Sequence, residues 1–506
     1  MRRALCLSLL GVAAAWHPAA SQCPDGTPPP CGRPARAAAA PAPNSVAVLY
    51  FTNASRDSAD EYLADGITEE IATSLARIAR LHVVSPAVVR RAQHAGGDDP
   101  ARLARALGVR HLVEGSLRRA GPQARITARL LGADARTTLW TDAYTRPTSD
   151  LLALEAEIAQ QVASGVVGAL LPNERRSLAS ARVDPEAHDH VLRGNFLLAR
   201  RSVDAIRRAI AEYGAAVVAD SEYALAWGRL SLGHALLRFW AGLAESRTPE
   251  AESRQVRGER AAARSLQLDS SLSDPWAALG YLRLYRDPIG MRGVLAAFRR
   301  AVAVNPGSAE AHHQLGTGYM WHGDTVAARF ELLRALELEP GRLVTFDNLS
   351  TLSLVERRFA ESLRWADSAL SVEPTHTYAM VRRAMALALL GDSAGALQAA
   401  ESAERLVQSP DLHHPRCVVL GMLHLPAARP ECTRVLGEAR SALDSAVAYV
   451  SMGDVERAAT AYTVAAAAGR ELFLWLDLLE PYLERLRADS RMQRLMETLR
   501  PAEEPR

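Results

Sequence analysis

The chain has no lysine: all 59 of its basic side chains are arginine. That absence removes several chemistries at once. There is no P-loop lysine, no Schiff-base lysine, no kinase strand lysine and no Ser-x-x-Lys pair. Aromatics are scarce at 6% while alanine is abundant, which disfavours a β-sandwich and favours closely packed helices. Charge of one sign is also lacking. The formal net charge is +2, so no overall field draws the chain to nucleic acid or acidic lipid. No apolar run reaches the ~18 residues that mark a membrane span. We find no His-Glu-x-x-His, no Gly-x-Ser-x-Gly and no zinc-ribbon spacing, and Gly316-Thr-Gly318 sits in a repeat, not a phosphate loop. The expectation is therefore no enzyme, no catalytic residue, no cofactor, no resident metal and no small-molecule substrate.

What remains is ordinary globular material, 48% hydrophobic and 23% charged, which excludes wholesale disorder. At roughly 100–200 residues per domain, 506 residues allow about three domains. Arg2 and Arg3 precede an apolar stretch from Ala4 to Ala15, and Ala19-Ala20-Ser21 supplies small residues. This is the pattern of a signal peptide over residues 1–22, which predicts export to the periplasm or cell envelope. Of five cysteines, Cys6 falls in that segment. Cys23, Cys31, Cys417 and Cys432 remain as two sequence-near pairs, suited to local disulfides in an oxidising compartment, with two other connectivities open. Gln22 is a poor residue before a lipidated Cys23. His413, His414 and His424 surround the second pair, so free thiols or a metal site stand as alternatives there. Residues 23–44 read as a Pro/Ala-rich linker.

Residues 45–172 read as a small α/β domain with a mixed sheet. Ser45–Phe51 is apolar and strand-like, and Leu81–Ser85 is a second short strand. Helices are expected over Ala64–Arg80, Asp99–Leu107 and Asp150–Leu171, the last ended by Pro172. Val109–Arg119, Ala124–Gly132 and Thr137–Arg146 are β-rich runs parted by Gly121-Pro122 and Gly132-Ala-Asp134, so hairpins follow. Glu69-Glu70 and Asp60-Glu61 are adjacent carboxylates, which do not face each other on a helix, and read as solvated positions. Asp65-Gly66 reads as a cap and turn. Arg118-Arg119 reads as strand charge facing solvent.

Four stretches resemble a known family: Val46–Asn53, Glu61–Glu70, Leu107–Arg119 and Leu139–Tyr144. In order, they look like the FlgO/TolB-amino-terminal-like domain. The resemblance implies a TolB-like small α/β fold with no established catalytic residues, often placed before tetratricopeptide repeats. In such relatives the domain often follows a winged-helix, cyclase or kinase domain. A second reading is therefore a regulatory signalling protein of that kind whose effector domain has been lost.

From residue 185 to 470 the sequence repeats. Pro306, Pro340 and Pro374 recur every 34 residues, and Gly323-Asp324 and Gly391-Asp392 lie two periods apart. That period is the one of tetratricopeptide helix–turn–helix units. Trp276, Leu279 and Gly280 open one unit, and Gly316, Ala328, Leu332 and Ala335 belong to the next. Ser362, Ala366 and Ala369 follow, and Tyr449, Tyr462 and Ala465 mark a late unit. Between Gln408 and Glu438 four prolines break the register, so an irregular insertion is expected, closed by Cys417–Cys432. Residues 471–500 read as capping helices over the last open face.

The fold class is thus a small α/β domain followed by an all-α TPR solenoid. Such arrays bind through the face lined by their first helices. In this register that face carries Tyr281, His313, Thr317, Met320, Asp347, Thr351, Leu354, Tyr378 and Met385. The expected partner is a protein or peptide, with no nucleic acid; peripheral association with the envelope fits. Sequencing the amino terminus of the cellular protein should find a start near residue 22 or 23. An intact Met1 on a cytoplasmic protein would refute export.

Overall fold

The structure, a computed structural model, describes residues 41–55, 57–96, 99–132, 137–178, 183–200, 202–240, 248–284, 291–339, 341–406, 414–439, 442–467 and 480–499. The expected signal segment, most of the linker, Cys23, Cys31, His413 and residues 471–479 lie outside these ranges.

The sheet contains β1 (Ser45–Val48), β2 (Thr52–Asn53), β3 (His82–Val83), β4 (His111–Ala120), β5 (Gln123–Leu131) and β6 (Thr138–Pro147). Its order is β3-β1-β4-β5-β6, with β2 beside β4. β1 runs parallel to β3 and β4, whereas β4, β5 and β6 are antiparallel, Ala120 lying opposite Gln123 across the hairpin. Every residue of β1 is buried because alternate side chains enter two cores. Val46 and Val48 meet α1 (Glu61–Ala76) and α4 (Leu151–Val167) on one face. Ala47 meets α2 (Pro86–Gly96) and α3 (Pro100–Leu107) on the other, against Val89 and Leu103. The hairpins follow the sequence reading, but α2 does not: its amphipathic Pro-Ala-Val-Val-Arg-Arg run carries few large apolar residues, and the reading passed it over. Pro172 also acts differently from expectation. Gly168, at φ 74°, ends α4. Pro172 instead opens α5 (Pro172–Leu178), since its missing N–H costs nothing in a first turn.

Paired antiparallel helices follow: α6 (Pro185–Leu198) with α7 (Val203–Ala219), α8 (Ala224–Trp240) with α9 (Pro249–Leu268), and α10 (Asp274–Leu284) with α11 (Arg292–Val304). Next come α12 (Ala309–His322) with α13 (Thr325–Leu338), α14 (Leu343–Val355) with α15 (Phe359–Val372), and α16 (Thr377–Leu390) with α17 (Ser393–Leu406). The series ends with α18 (Pro415–Met422) and α19 (Ala428–Glu438), then α20 (Ala442–Ser451) and α21 (Val455–Ala467). These are helix–turn–helix units of the TPR type. The 34-residue spacing has a packing cause. Ala301, Ala335, Ala369 and Ala403 recur at that interval on second helices and are all fully buried. Gly316, Ser350 and Ala384 do the same on first helices. A Cβ on Gly316 would stand 2.8 Å from Leu332, and one on Gly280 would collide with the Phe298 ring. Small residues let the backbones approach, and a bulky partner fills the gap.

The stretch between Gln408 and Glu438 is not an irregular insertion where it is described. It forms α18 and α19, broken near Pro426. Pro415 occupies the first turn of α18 and Pro430 that of α19, where no intrahelical N–H is required. Cys417 and Cys432, both fully buried, are joined across this pair with Cα atoms 5.1 Å apart. The described end of the chain packs Leu483, Leu486 and Met492 onto α20 and α21, through two short 3-10 turns and then α22 (Ser490–Leu499).

The α/β unit is docked onto the array. Leu192 of α6 belongs to the α/β core and lies against Gly66 of α1, where a Cβ would approach to 2.9 Å. Gly66 is thus an interface residue inside a helix, not part of a turn. Tyr62 Oη donates to Asp189 Oδ1 at 2.6 Å, and Arg193 pairs with Asp189 at 2.6 Å. Glu155 and His188, both buried, face each other at 3.2 Å. The connecting α5 is held as well. Arg80 pairs with Glu174 at 2.6 Å, and that contact with the Leu171 N–H holds the Glu174 carboxyl down to about 2. The α/β unit therefore covers the end of the array that a terminal helix pair would leave open. Leu192→Ala should cost about 2–5 kcal/mol, the range for emptying a buried leucine site. Urea unfolding checks it, and a cost below about 0.5 kcal/mol would reject the shared core.

Candidate functional site

The first helices α12, α14, α16, α18 and α20 stack on one another in sequence, giving a continuous inward face. A polar ladder joins the first three, α12, α14 and α16. His313 Nδ1 lies 3.0 Å from Thr345 Oγ1. Thr317 Oγ1 donates to the His313 carbonyl at 2.7 Å and accepts from Asn348 Nδ2 at 2.7 Å. Asp347 Oδ2 lies 2.5 Å from His376 Nε2. Arg342 bridges Glu310 and Glu339. Burial opposes charge on His376, but the hydrogen bond and charge of Asp347 outweigh it and raise the imidazole above its ordinary value of 6.5. Asp347 Oδ1 is buried without a hydrogen-bond partner among the described residues. Tyr378, whose ring lies 6.0 Å from that of His376, is 44% exposed.

The nine positions assigned to this face divide. Asp347 and Tyr378 reach its surface. His313, Thr317 and Thr351 are buried between neighbouring first helices. Tyr281 packs edge-on against Phe298 at 5.4 Å, and Met320 joins the same core. Leu354 and Met385 are buried as well. The repeat register identifies which helix side turns inward, but adjacent first helices are close enough that most such side chains fill the seam between them. In the structure those seven side chains are buried, whereas Asp347 is half-buried and Tyr378 exposed.

Leu354 and Met385 have a further cover that sequence reasoning missed. Tyr482, from the chain's last described segment, packs on their cluster. Glu480, nearly fully buried, pairs with Arg382 of α16 at 2.6 Å, and Glu484 meets Arg357 at 3.2 Å. A long-range return of this kind leaves no periodic trace. The one local signal was Arg357, which stands where Gly323 and Gly391 end their helices.

Elsewhere the sequence-flagged groups are structural. Asp65 pairs with Arg90 at 2.9 Å, Tyr50 Oη donates to Glu69 at 2.9 Å, and Arg90 lies over the Tyr50 ring at 3.8 Å. Burial raises both the Asp65 and Glu69 carboxyls. Glu69 is therefore not simply solvated, and Arg119 meets Asp60 at 3.1 Å instead of only water. Near the disulfide, the sulfurs of Cys417 and Cys432 are bonded to each other, and His424 Nε2 faces Arg485 at 3.1 Å. Among the described residues no cluster of three His, Cys, Asp or Glu side chains is arranged to hold a metal ion, and no helix is long and apolar enough to cross a membrane.

No family model matches the chain. It is similar to a protein named putative adenylate cyclase 3 of Rhizobium meliloti, at 36% identity over 157 residues, which cover 30% of this chain and 26% of that protein. The chain thus spans about a quarter of that relative's length. Among solved structures, yeast Tom70 overlays at a TM-score of 0.39 and 15% identity, covering 63% of this chain and 69% of its own. YrrB, described as a TPR protein with an unusual peptide-binding site, overlays at 0.29 and 18% identity, covering 39% and 93%.

The Asp347–His376 pair predicts a pH dependence. With the folded imidazole raised, its contribution is fully present below about pH 6.5 and is lost as pH rises through the folded value. Asp347→Asn should lower the His376 titration midpoint, read by NMR of the imidazole protons. An unchanged midpoint would show that the pair does not form in solution.

Proposed function

We propose that the chain is a non-catalytic scaffold whose inward face receives a protein or peptide segment, and that it works after export, in the periplasm or cell envelope. The observation that carries the binding reading is exposed Tyr378 beside His376, which pairs with Asp347 on a continuous stack of first helices. Asp347 Oδ1 is buried without a donor among the described residues, at a desolvation cost of about 1–3 kcal/mol, which a peptide N–H relieves where binding opens this rung. An exposed aromatic beside it supplies anchor area at small entropic cost. Export rests on the basic start, the short apolar stretch and the small residues before Gln22. The FlgO/TolB-like assignment of the α/β unit rests on the four quoted stretches and agrees with its mixed sheet.

A second reading has one observation in its favour. The 36% identity to part of a putative adenylate cyclase supports descent from, or function beside, a signalling protein of that kind. On that reading this chain supplies the regulatory or scaffolding portion.

The test is capture from a cell-envelope extract by the mature protein, with the captured protein then measured in pure form. Asp347→Ala with Tyr378→Ala should weaken its binding about tenfold, or ~1.4 kcal/mol. Circular dichroism should be unchanged. Undiminished binding would refute this face as the site, and turnover of a nucleotide by the pure protein would refute the non-catalytic reading.

A further inference from the structure

Part of the inward face is occupied by the chain itself. Tyr482 rests on a cluster of Leu354, Met385 and Ala386, contributed by α14 and α16, against which Met422 of α18 also packs. Leu483 and Leu486 continue onto α20. The segment, folded as two short 3-10 turns, thus contacts residues of α14, α16 and α20. Its polar contacts are complementary in charge. Glu480 meets Arg382 at 2.6 Å and Glu484 meets Arg357 at 3.2 Å, while within the segment Arg487 Nη1 donates to the Glu480 carbonyl at 3.0 Å.

Two features separate this from a simple end cap. A cap needs only apolar cover for the last pair, and Leu483, Leu486 and Met492 already supply that on α20 and α21. Glu480 adds a carboxylate that is 3% exposed, whose desolvation is offset only by a well-placed cation. The second feature is Arg357. The corresponding helix ends 34 residues to either side carry Gly323 and Gly391, both at φ 87°. Arg357 holds the same left-handed conformation at φ 60°, which glycine adopts without steric cost and arginine does not. Its side chain reaches the returning segment. Both features engage the glutamates of this segment, Glu480 through Arg382 and Glu484 through Arg357, and neither is needed to close a core.

We propose that Glu480 and Tyr482 occupy, in cis, a ligand site formed by α14 and α16, while Leu483 and Leu486 stay on the last pair, and that its ligand is a peptide segment with an aromatic residue two positions after a glutamate. This rests on the scaffold reading and names the ligand chemistry of its face. The returning segment is an internal competitor. It lowers the apparent affinity of an incoming segment in proportion to the fraction of time the site is closed.

The probe is a fluorescein-labelled octapeptide of this chain's own segment, Glu-Pro-Tyr-Leu-Glu-Arg-Leu-Arg, followed by anisotropy with the full-length protein. The wild type should bind it weakly. Glu480→Gln with Tyr482→Ala should bind it at least about tenfold more tightly, as expected when a site closed nine-tenths of the time is opened. Adding Arg382→Glu should abolish that gain, and a peptide with Gln and Ala in place of its Glu and Tyr should not bind. A folded double variant with no gain would overturn the proposal and leave the segment as a cap. If the double variant loses helix content, Glu480→Gln alone, which leaves the packing intact, decides in its place. A gain of about threefold supports the proposal and no gain overturns it. Partner capture that persists and still depends on Asp347 and Tyr378 would show that only this proposal has failed, not the scaffold reading.

Discussion

Two helices can share a backbone contact only where no side chain holds them apart. In this molecule that contact is made at residues such as Gly316, Ser350 and Ala384, and answered from the second helix by Leu332, Ser362 and Ala400. The close approach sets the tilt of each pair, and repetition of the tilt every 34 residues makes a superhelix. The columns of buried alanine through Ala301, Ala335, Ala369 and Ala403 extend the constraint from pair to pair. Adding bulk at one of them, as in Ala369→Leu, would overpack a seam at a cost of about 1–3 kcal/mol and disturb the units on both sides.

Everything proposed about binding depends on that geometry. The first helices align their polar side chains into a ladder because the pairs are spaced regularly, and Asp347 and Tyr378 stay accessible at one rung. The ends follow the same logic. A solenoid unit cannot bury its face alone, so the α/β unit covers the first pair through Leu192, and the last described segment covers α20 and α21. The buried Glu155–His188 contact adds little net stability after desolvation, and we read it as fixing the docking register of α6 on α4.

The parts of the fold written in local pattern were legible in the sequence. Recurring prolines and small residues reveal the repeat because each marks a position where only a turn or a close contact fits. The hairpins were legible from Gly121-Pro122 and the alternation around it. The residues that went astray did so for definable reasons. Pro172, Pro415 and Pro430 were read as helix breakers, but a first turn accepts proline freely. Asp65-Gly66 looked like a turn, yet the glycine serves a partner helix that lies more than a hundred residues away. Of the inward positions read from the register, seven are buried in the structure and Asp347 and Tyr378 are not, because periodicity cannot distinguish a seam from a groove. Tyr482 and Glu480 carry no local mark of their destination at all.

The central claim is that the inward face, and not the outer one, is the working surface. Site-specific photocrosslinking tests it most directly, because an exposed apolar stripe of Val326, Phe330 and Leu333 on the outer side of α13 offers a natural rival. A photoreactive phenylalanine analogue at position 378 samples the inward face, and one at position 330 samples the stripe. With envelope extract, the account predicts a discrete adduct from position 378 and none from position 330. An adduct from position 330 alone would contradict it and move the function to the outside of the solenoid.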